Sequence, residues 1–371
     1  MLNGVTVLRS LLLGALLAGG LACRTKEPAV VRIGDAVPRE ATGRTLLEVV
    51  RPQFRDDTAP RIELAPWSVR GLERGIGEDA QARRFIADTS VVAVVGHAGS
   101  RATLMVESLY RDAGLPMLVP TATAQSLRRL GAHVFMLAPT DDVIGAFLVD
   151  EAFTRLGAKH IGLLYVADPY GEGIRDGVQA RLRARGDSLS GMAALSGLEC
   201  EGESAGMTAI VTAFLRRHTP DAVIVALPQE ATRCAIRALV LEAPAVAVLT
   251  TDSFVLGESA PLTAAERANL HALLFWEPGG DSASQAFVAN ARRFMTRDPY
   301  PGEALEYDAF QLVATAIRAG NTTRPAITKW LQQLGTPGHP PYQGVTGLID
   351  FTKPRSSVLR LKALRDIPSA P

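Results

Sequence analysis

Several short stretches carry residue types that do chemistry. Gly202-Glu203-Ser204-Ala205-Gly206 fits G-x-S-x-G, the elbow that presents a nucleophilic serine between a strand and a helix. Such a serine needs a histidine to take its proton and an oxyanion seat beside it. No His-Gly-Gly segment precedes this one; His271 begins an apolar run and His339 sits among prolines. The pentapeptide therefore reads better as a loop in which Ser204 caps the next helix, and a serine esterase stays a minor alternative.

A second set of residues is suited to binding. Gly99 and Ser100 follow the apolar run 91–95 across a turn that starts at Gly96, and they open a helical pattern. Glycine lets a ligand approach the backbone, serine offers a hydroxyl, and a helix start aims N–H groups at an anion. Thr121, Ala122 and Thr123 end the next apolar run; Tyr170 follows the run 160–166, Glu230 follows 222–227, and Asp252 closes 245–250. Each has a plainer alternative. Ser100 and Thr121 also suit helix caps, Tyr170 a packing role at a turn, and Glu230 and Asp252 a solvated surface.

Composition narrows the classes. The 371 residues are 47% hydrophobic and 21% charged, with a formal charge of +1. That is an ordinary globular balance with no field for nucleic acid. The six His are scattered singly and no CxxC occurs, so neither a metal nor a cofactor is expected.

The elements that must hold these residues alternate. Apolar strands are expected at 30–34, 61–64, 91–95, 117–119, 160–166, 192–198, 222–227 and 245–250. Amphipathic helices fall between them, at 44–54, 79–88, 102–113, 143–156, 173–185, 207–217 and 231–241. This order predicts an α/β protein of two similar lobes, each a parallel sheet with helices on its faces. Beyond it, 273–276 reads as a crossover strand, 284–294 and 303–318 as helices, and 342–351 and 358–364 as final strands.

The N-terminus is different in kind. A single positive charge precedes the apolar run 11–22, which is too short for a permanent span and reads as an export signal over 1–22. Gly20-Leu21-Ala22-Cys23 resembles a bacterial lipobox, with Cys23 the lipidated first residue and 23–29 a tether; a plain cleaved signal is the other reading. Cys200 and Cys234 then remain in an exported body, where a disulfide between them is an open alternative.

Over 30–364 the order and spacing of these motifs resemble the type I periplasmic binding proteins, in particular their branched-chain amino-acid (Leu/Ile/Val) branch. The stretch 91–123 matches the family's strand, Gly-x-x-x-Ser turn, helix, strand and Thr/Ala-rich turn. Residues 134–142 resemble its crossover, 161–173 its strand with a Tyr-Gly turn, 306–317 a late helix and 344–351 a Gly-flanked strand. The resemblance implies lobes at 30–139 with 277–351 and at 140–276 with 352–371, joined by hinge strands. It implies no enzyme. It implies a binding protein of an ABC importer, exported to the periplasm or cell surface and met there by a membrane permease. Its small polar ligand, an amino acid or similar solute, is held by Gly99, Ser100, Thr121, Ala122 and Thr123 on one wall and by Tyr170, Glu230 or Asp252 on the other.

The chain also departs from that family. The first turn, 38–43, is compressed; Ala65 to Arg70 replaces a commonly acidic segment; Arg101 follows Ser100 where a small residue is usual. Arg39, Trp67 and Arg101 are therefore expected to reshape the pocket. The compressed turn also leaves room for a sensory or interaction lipoprotein, such as an activator of cell-wall synthases.

Overall fold

A computed structural model describes residues 30–37, 46–54, 60–67, 77–196, 200, 205–254, 262–295, 297–352, 355 and 358–364. The export signal, Cys23, the tether, Arg39 and Ser204 lie outside these.

Two sheets form the frame. The first contains β1 (Val30–Asp35), β2 (Arg61–Pro66), β3 (Val91–Val95), β4 (Met117–Val119) and β5 (Val134–Met136), in the order β2-β1-β3-β4-β5, all parallel. The second contains β6 (Ile161–Val166), β7 (Gly191–Leu195), β8 (Ala222–Ala226), β9 (Ala247–Thr250), β10 (Leu270–Leu274) and β13 (Arg360–Ala363). Its order is β13-β10-β9-β8-β6-β7, and only β13 runs antiparallel.

Residue choice follows position in the sheet. Central strands β3 (VVAVV), β6 (IGLLYV) and β8 (AVIVA) are buried at every residue, as helices on both faces require. Edge strand β7 alternates partly buried with exposed residues over its first four positions, so it shows one face to solvent.

Helices α1 (Leu46–Val50), α2 (Glu78–Ala87) and α3 (Ser100–Asp112) connect the first sheet. In the second half come α4 (Asp141–Thr154), α5 (Pro169–Arg185), α6 (Ala205–His218), α7 (Gln229–Glu242) and α8 (Ala264–Ala268). The chain then returns to the first sheet through α9 (Ser282–Ala291), α10 (Pro301–Arg318) and α11 (Arg324–Gln333). There α10 packs on β1 and β3, and α11 on β3.

Each half has a core of its own. Val94, Val106, Tyr110 and Met117 anchor one cluster, and Leu164, Val211, Val225 and Leu239 another. No helix among the described residues is long and apolar enough to cross a membrane.

Three expectations change. The strand read at 273–276 is β10, which starts at Leu270 and pairs with β9 inside the second sheet. The single strand expected over 342–351 is a hairpin of β11 (Tyr342–Gly344) and β12 (Gly347–Ile349). Gly347 takes φ +95° there, and Asp308 accepts from the Val345 and Thr346 N–H groups at 2.8 and 2.9 Å. The helix at 44–54 is described as α1 followed by a tighter 3-10 turn from Arg51 to Phe54 that contains Pro52, a residue with no N–H for an α-helical bond.

Candidate functional site: a cleft at two switch points

In both sheets the winding reverses between neighbouring strands, at β1/β3 in the first and β6/β8 in the second. Crevices open at such points, beyond the strand C-termini, and ligands bind there. The loops that follow β3 and β6 meet at one cavity of about 510 Å³, within the roughly 300–1,000 Å³ of small-molecule sites.

One wall comes from the first sheet: Gly99, Ser100, Arg101, Thr121 and Thr123. Gly99 caps α3 at φ +87°, in the left-handed region that suits glycine. Ser100 is buried, and its Oγ accepts from the N–H groups of Thr123 (3.3 Å) and Ala124 (3.1 Å). Both lone pairs are thereby used, and the hydroxyl proton remains free to donate. The start of α3 adds the positive end of the helix dipole, so this wall suits a carboxylate.

The facing wall is acidic. Asp168 caps α5 by accepting from the Tyr170 and Gly171 N–H groups, each at 3.0 Å. The Tyr170 hydroxyl donates to Thr251 Oγ1 at 2.6 Å and lies 3.2 Å from Asp252 Oδ1. Burial pushes the Asp252 carboxyl up to about 7, against the lowering effect of its own backbone N–H and of Tyr170. Behind the wall, burial pushes Asp141 up to about 8; the Thr123 hydroxyl opposes this, and the charges of Asp252, Asp142 and Asp168 add to it. A Cβ at Gly173 would stand 2.2 Å from Asp141 Oδ2, so glycine alone leaves room for that carboxyl.

The rest of the lining is apolar: Ala98, Ala102, Phe254, Leu273, Leu274 and Phe275, with Pro301 and Gly302 from the start of α10. A head that accepts hydrogen bonds at one wall, a positive group at the other and an apolar body between them would be served together.

Of the residues read from sequence, Gly99, Ser100, Thr121, Thr123, Tyr170, Asp252 and Arg101 line this cavity. Ala122 is buried between two of them without lining it. Glu230 is exposed in the first turn of α7, away from the lining. Trp67 is buried with its ring edge-on to His97, at 5.9 Å, behind the first wall. Sequence reasoning missed Asp168, whose Asp-Pro-Tyr-Gly setting was a readable cap signal, and did not place Leu273 to Phe275 at the cavity. Cys200 and Cys234 are joined by a disulfide with Cα atoms 6.1 Å apart, tying the segment after β7 to α7. Among the described residues no cluster of His, Cys, Asp and Glu could hold a metal.

The fold and cleft define a two-lobed α/β binding protein of the type I class. The family model for periplasmic binding proteins matches residues 78–358, and the chain belongs to that family. An amino acid binding protein of Pseudomonas aeruginosa is 30% identical over 108 residues, which are 29% of this chain and 29% of that protein. The match thus spans less than a third of the curated relative's length.

Among solved structures, an ABC transporter substrate-binding protein from Desulfitobacterium hafniense, in complex with Leu, superposes with a TM-score of 0.73. It is 22% identical and covers 92% of this chain and 99% of its own. A solute-binding protein of an ABC transporter from R. palustris, in complex with benzoate, has a TM-score of 0.72 at 15% identity, covering 92% of this chain and 95% of its own.

Proposed function

We propose that this chain is the solute-binding component of an ABC importer and carries a small carboxylate-bearing solute, an amino acid or a close analogue, in the cleft. The observation that carries the reading is the meeting of two unlike walls at one cavity: Gly99, Ser100, Thr121 and Thr123 face Asp168, Tyr170 and Asp252. The first wall offers N–H and O–H donors to a carboxylate; the second offers carboxyls and a phenol to an ammonium or hydroxyl group. Leucine and benzoate, the solutes of two structural relatives, share a carboxylate, which supports placing that group on the first wall.

Solute binding would draw the lobes together about the connections at 139/140, 276/277 and 351/352, with residues 30–139 and 277–351 moving as one body. A membrane permease would then read the closed form, whose population rises with solute. Export by the 1–22 signal and anchoring through Cys23 would place the protein where it meets that permease. No catalytic step is assigned to it; the last two residues of the Gly202-to-Gly206 pentapeptide, Ala205 and Gly206, open α6.

A thermal-shift screen of the mature chain against amino acids, amides and aromatic carboxylates tests the proposal. A bound solute at 100 times its Kd should stabilise the chain by about 2.7 kcal/mol. Shifts confined to carboxylates support the reading. No shift across the library would replace it with that of a sensory or interaction module.

A further inference from the structure

A chain of polar side chains, buried at His97 and Tyr110 and half-buried at Glu78, lies behind the first wall. His97 is fully buried in the loop between β3 and α3, two residues before Gly99. Its Nδ1 contacts Oε2 of Glu78, the first residue of α2. Its Nε2 lies 2.9 Å from the hydroxyl of Tyr110, in the last turn of α3. Tyr110 is also fully buried, which raises its phenol pKa far above the ordinary value and keeps its proton in place.

The two contacts are compatible: a Tyr110 hydroxyl that donates to Nε2 leaves Nδ1 to donate to Glu78 Oε2. The relay joins the start of one helix, the end of another and the loop between them. Nearby contacts hold the same loop: a Cβ on Gly96 would come 2.8 Å from the Ala36 carbonyl carbon, and Thr103 Oγ1 donates to the Gly99 carbonyl at 2.8 Å.

An apolar side chain would fill this space without needing partners. Buried polar groups cost free energy unless all their bonds are made, so the relay favours one loop geometry over its neighbours. We propose that His97, held between Glu78 and Tyr110, is a positioning residue that fixes the Gly99–Ser100 turn for the bound solute. This rests on the proposed solute reading. Its effect on binding is pre-organisation, since a turn already set loses less freedom when solute arrives.

Two measurements on the folded mature chain test it: hydrogen exchange by mass spectrometry, and calorimetric titration with L-leucine and with benzoate. In Glu78→Ala and Tyr110→Phe, amides of 97–103 should exchange about tenfold faster while those of β6 keep their rates. Whichever solute binds the wild type should bind these variants about fivefold or more weakly. His97→Gln keeps one donor and one acceptor and should recover most of both properties; His97→Phe fills the space and should recover neither. Wild-type exchange in Glu78→Ala and Tyr110→Phe, equal acceleration in β6, or a His97→Phe chain matching wild type would each overturn the proposal. If neither solute binds the wild type, the choice of solute fails separately, and the exchange pattern alone decides the role of His97.

Discussion

The Ser100 hydroxyl accepts the Thr123 backbone N–H at 3.3 Å, so the loop after β3 is bonded directly to the loop after β4. The adjoining Ala124 N–H, at 3.1 Å, shares the same oxygen. The serine is thus a structural tie and, on the proposed function, a ligand donor as well. Ser100→Ala would leave both amides without their acceptor inside the protein, at a cost of about 1–3 kcal/mol of stability. It should also weaken a carboxylate solute about tenfold or more, from the loss of a hydrogen bond to a charged group. Urea unfolding and calorimetric titration of the same variant separate the two effects.

Stability should depend on pH through two carboxyls in particular. Asp141 and Asp252 have folded values of about 8 and about 7, above the ordinary 3.8. The native chain therefore holds more protons than the unfolded one between about pH 4 and 8, and their contribution to stability is lost as pH rises through that window. Asp88 and Glu266 are shifted down, chiefly by the Ser90 hydroxyl and by Thr263 respectively, although burial opposes the shift of Glu266 most strongly; their contributions are present above the ordinary values and lost on acidification. Asp141→Asn should flatten the alkaline fall of Tm and stabilise the chain at pH 9 by roughly a few kcal/mol, with little change near pH 5. Thermal melts of both chains across that range check it.

Binding of an ammonium-bearing solute should release a proton. Below about pH 7 Asp252 is largely protonated, and an arriving cation favours its ionised form. Titrations at pH 6 in buffers of different ionisation enthalpy should show net proton release, shrinking towards zero above pH 8.5. Tyr170→Phe removes a hydrogen bond that lowers the Asp252 value, so the pH range of release should move upward.

The Cys200–Cys234 bond closes a loop across 34 positions. Loop entropy gives it about 3–4 kcal/mol of stabilisation. Cys234→Ser should lower the urea midpoint accordingly and leave solute affinity within about twofold, because neither cysteine lines the cavity. Reduction of the wild type should reproduce the variant.

The fold was legible because its strands advertise their positions. Fully apolar runs such as Val91–Val95 and Ala222–Ala226 belong to sheet centres, and their spacing by helical stretches gave the two-sheet order. The first wall was legible for the same reason, since Ser100 and Thr121 to Thr123 lie in the loops that follow such strands. The second wall was less so. Glu230 and Asp252 both follow buried strands in sequence, yet Glu230 lies on an exposed helical turn while the Tyr170 hydroxyl draws Asp252 into the cleft. The Glu78–His97–Tyr110 relay joins residues up to 32 positions apart, and no local pattern connects them.

The central claim is most directly tested by a crystal structure of the mature chain with the tightest solute from the screen. The solute should lie between the lobes, its carboxylate about 2.7–3.2 Å from Ser100 Oγ and the N–H groups at the start of α3, with any ammonium beside Asp252. A solute seated outside the cavity shared by Ser100 and Tyr170, or turned with its carboxylate towards Asp252, would contradict it.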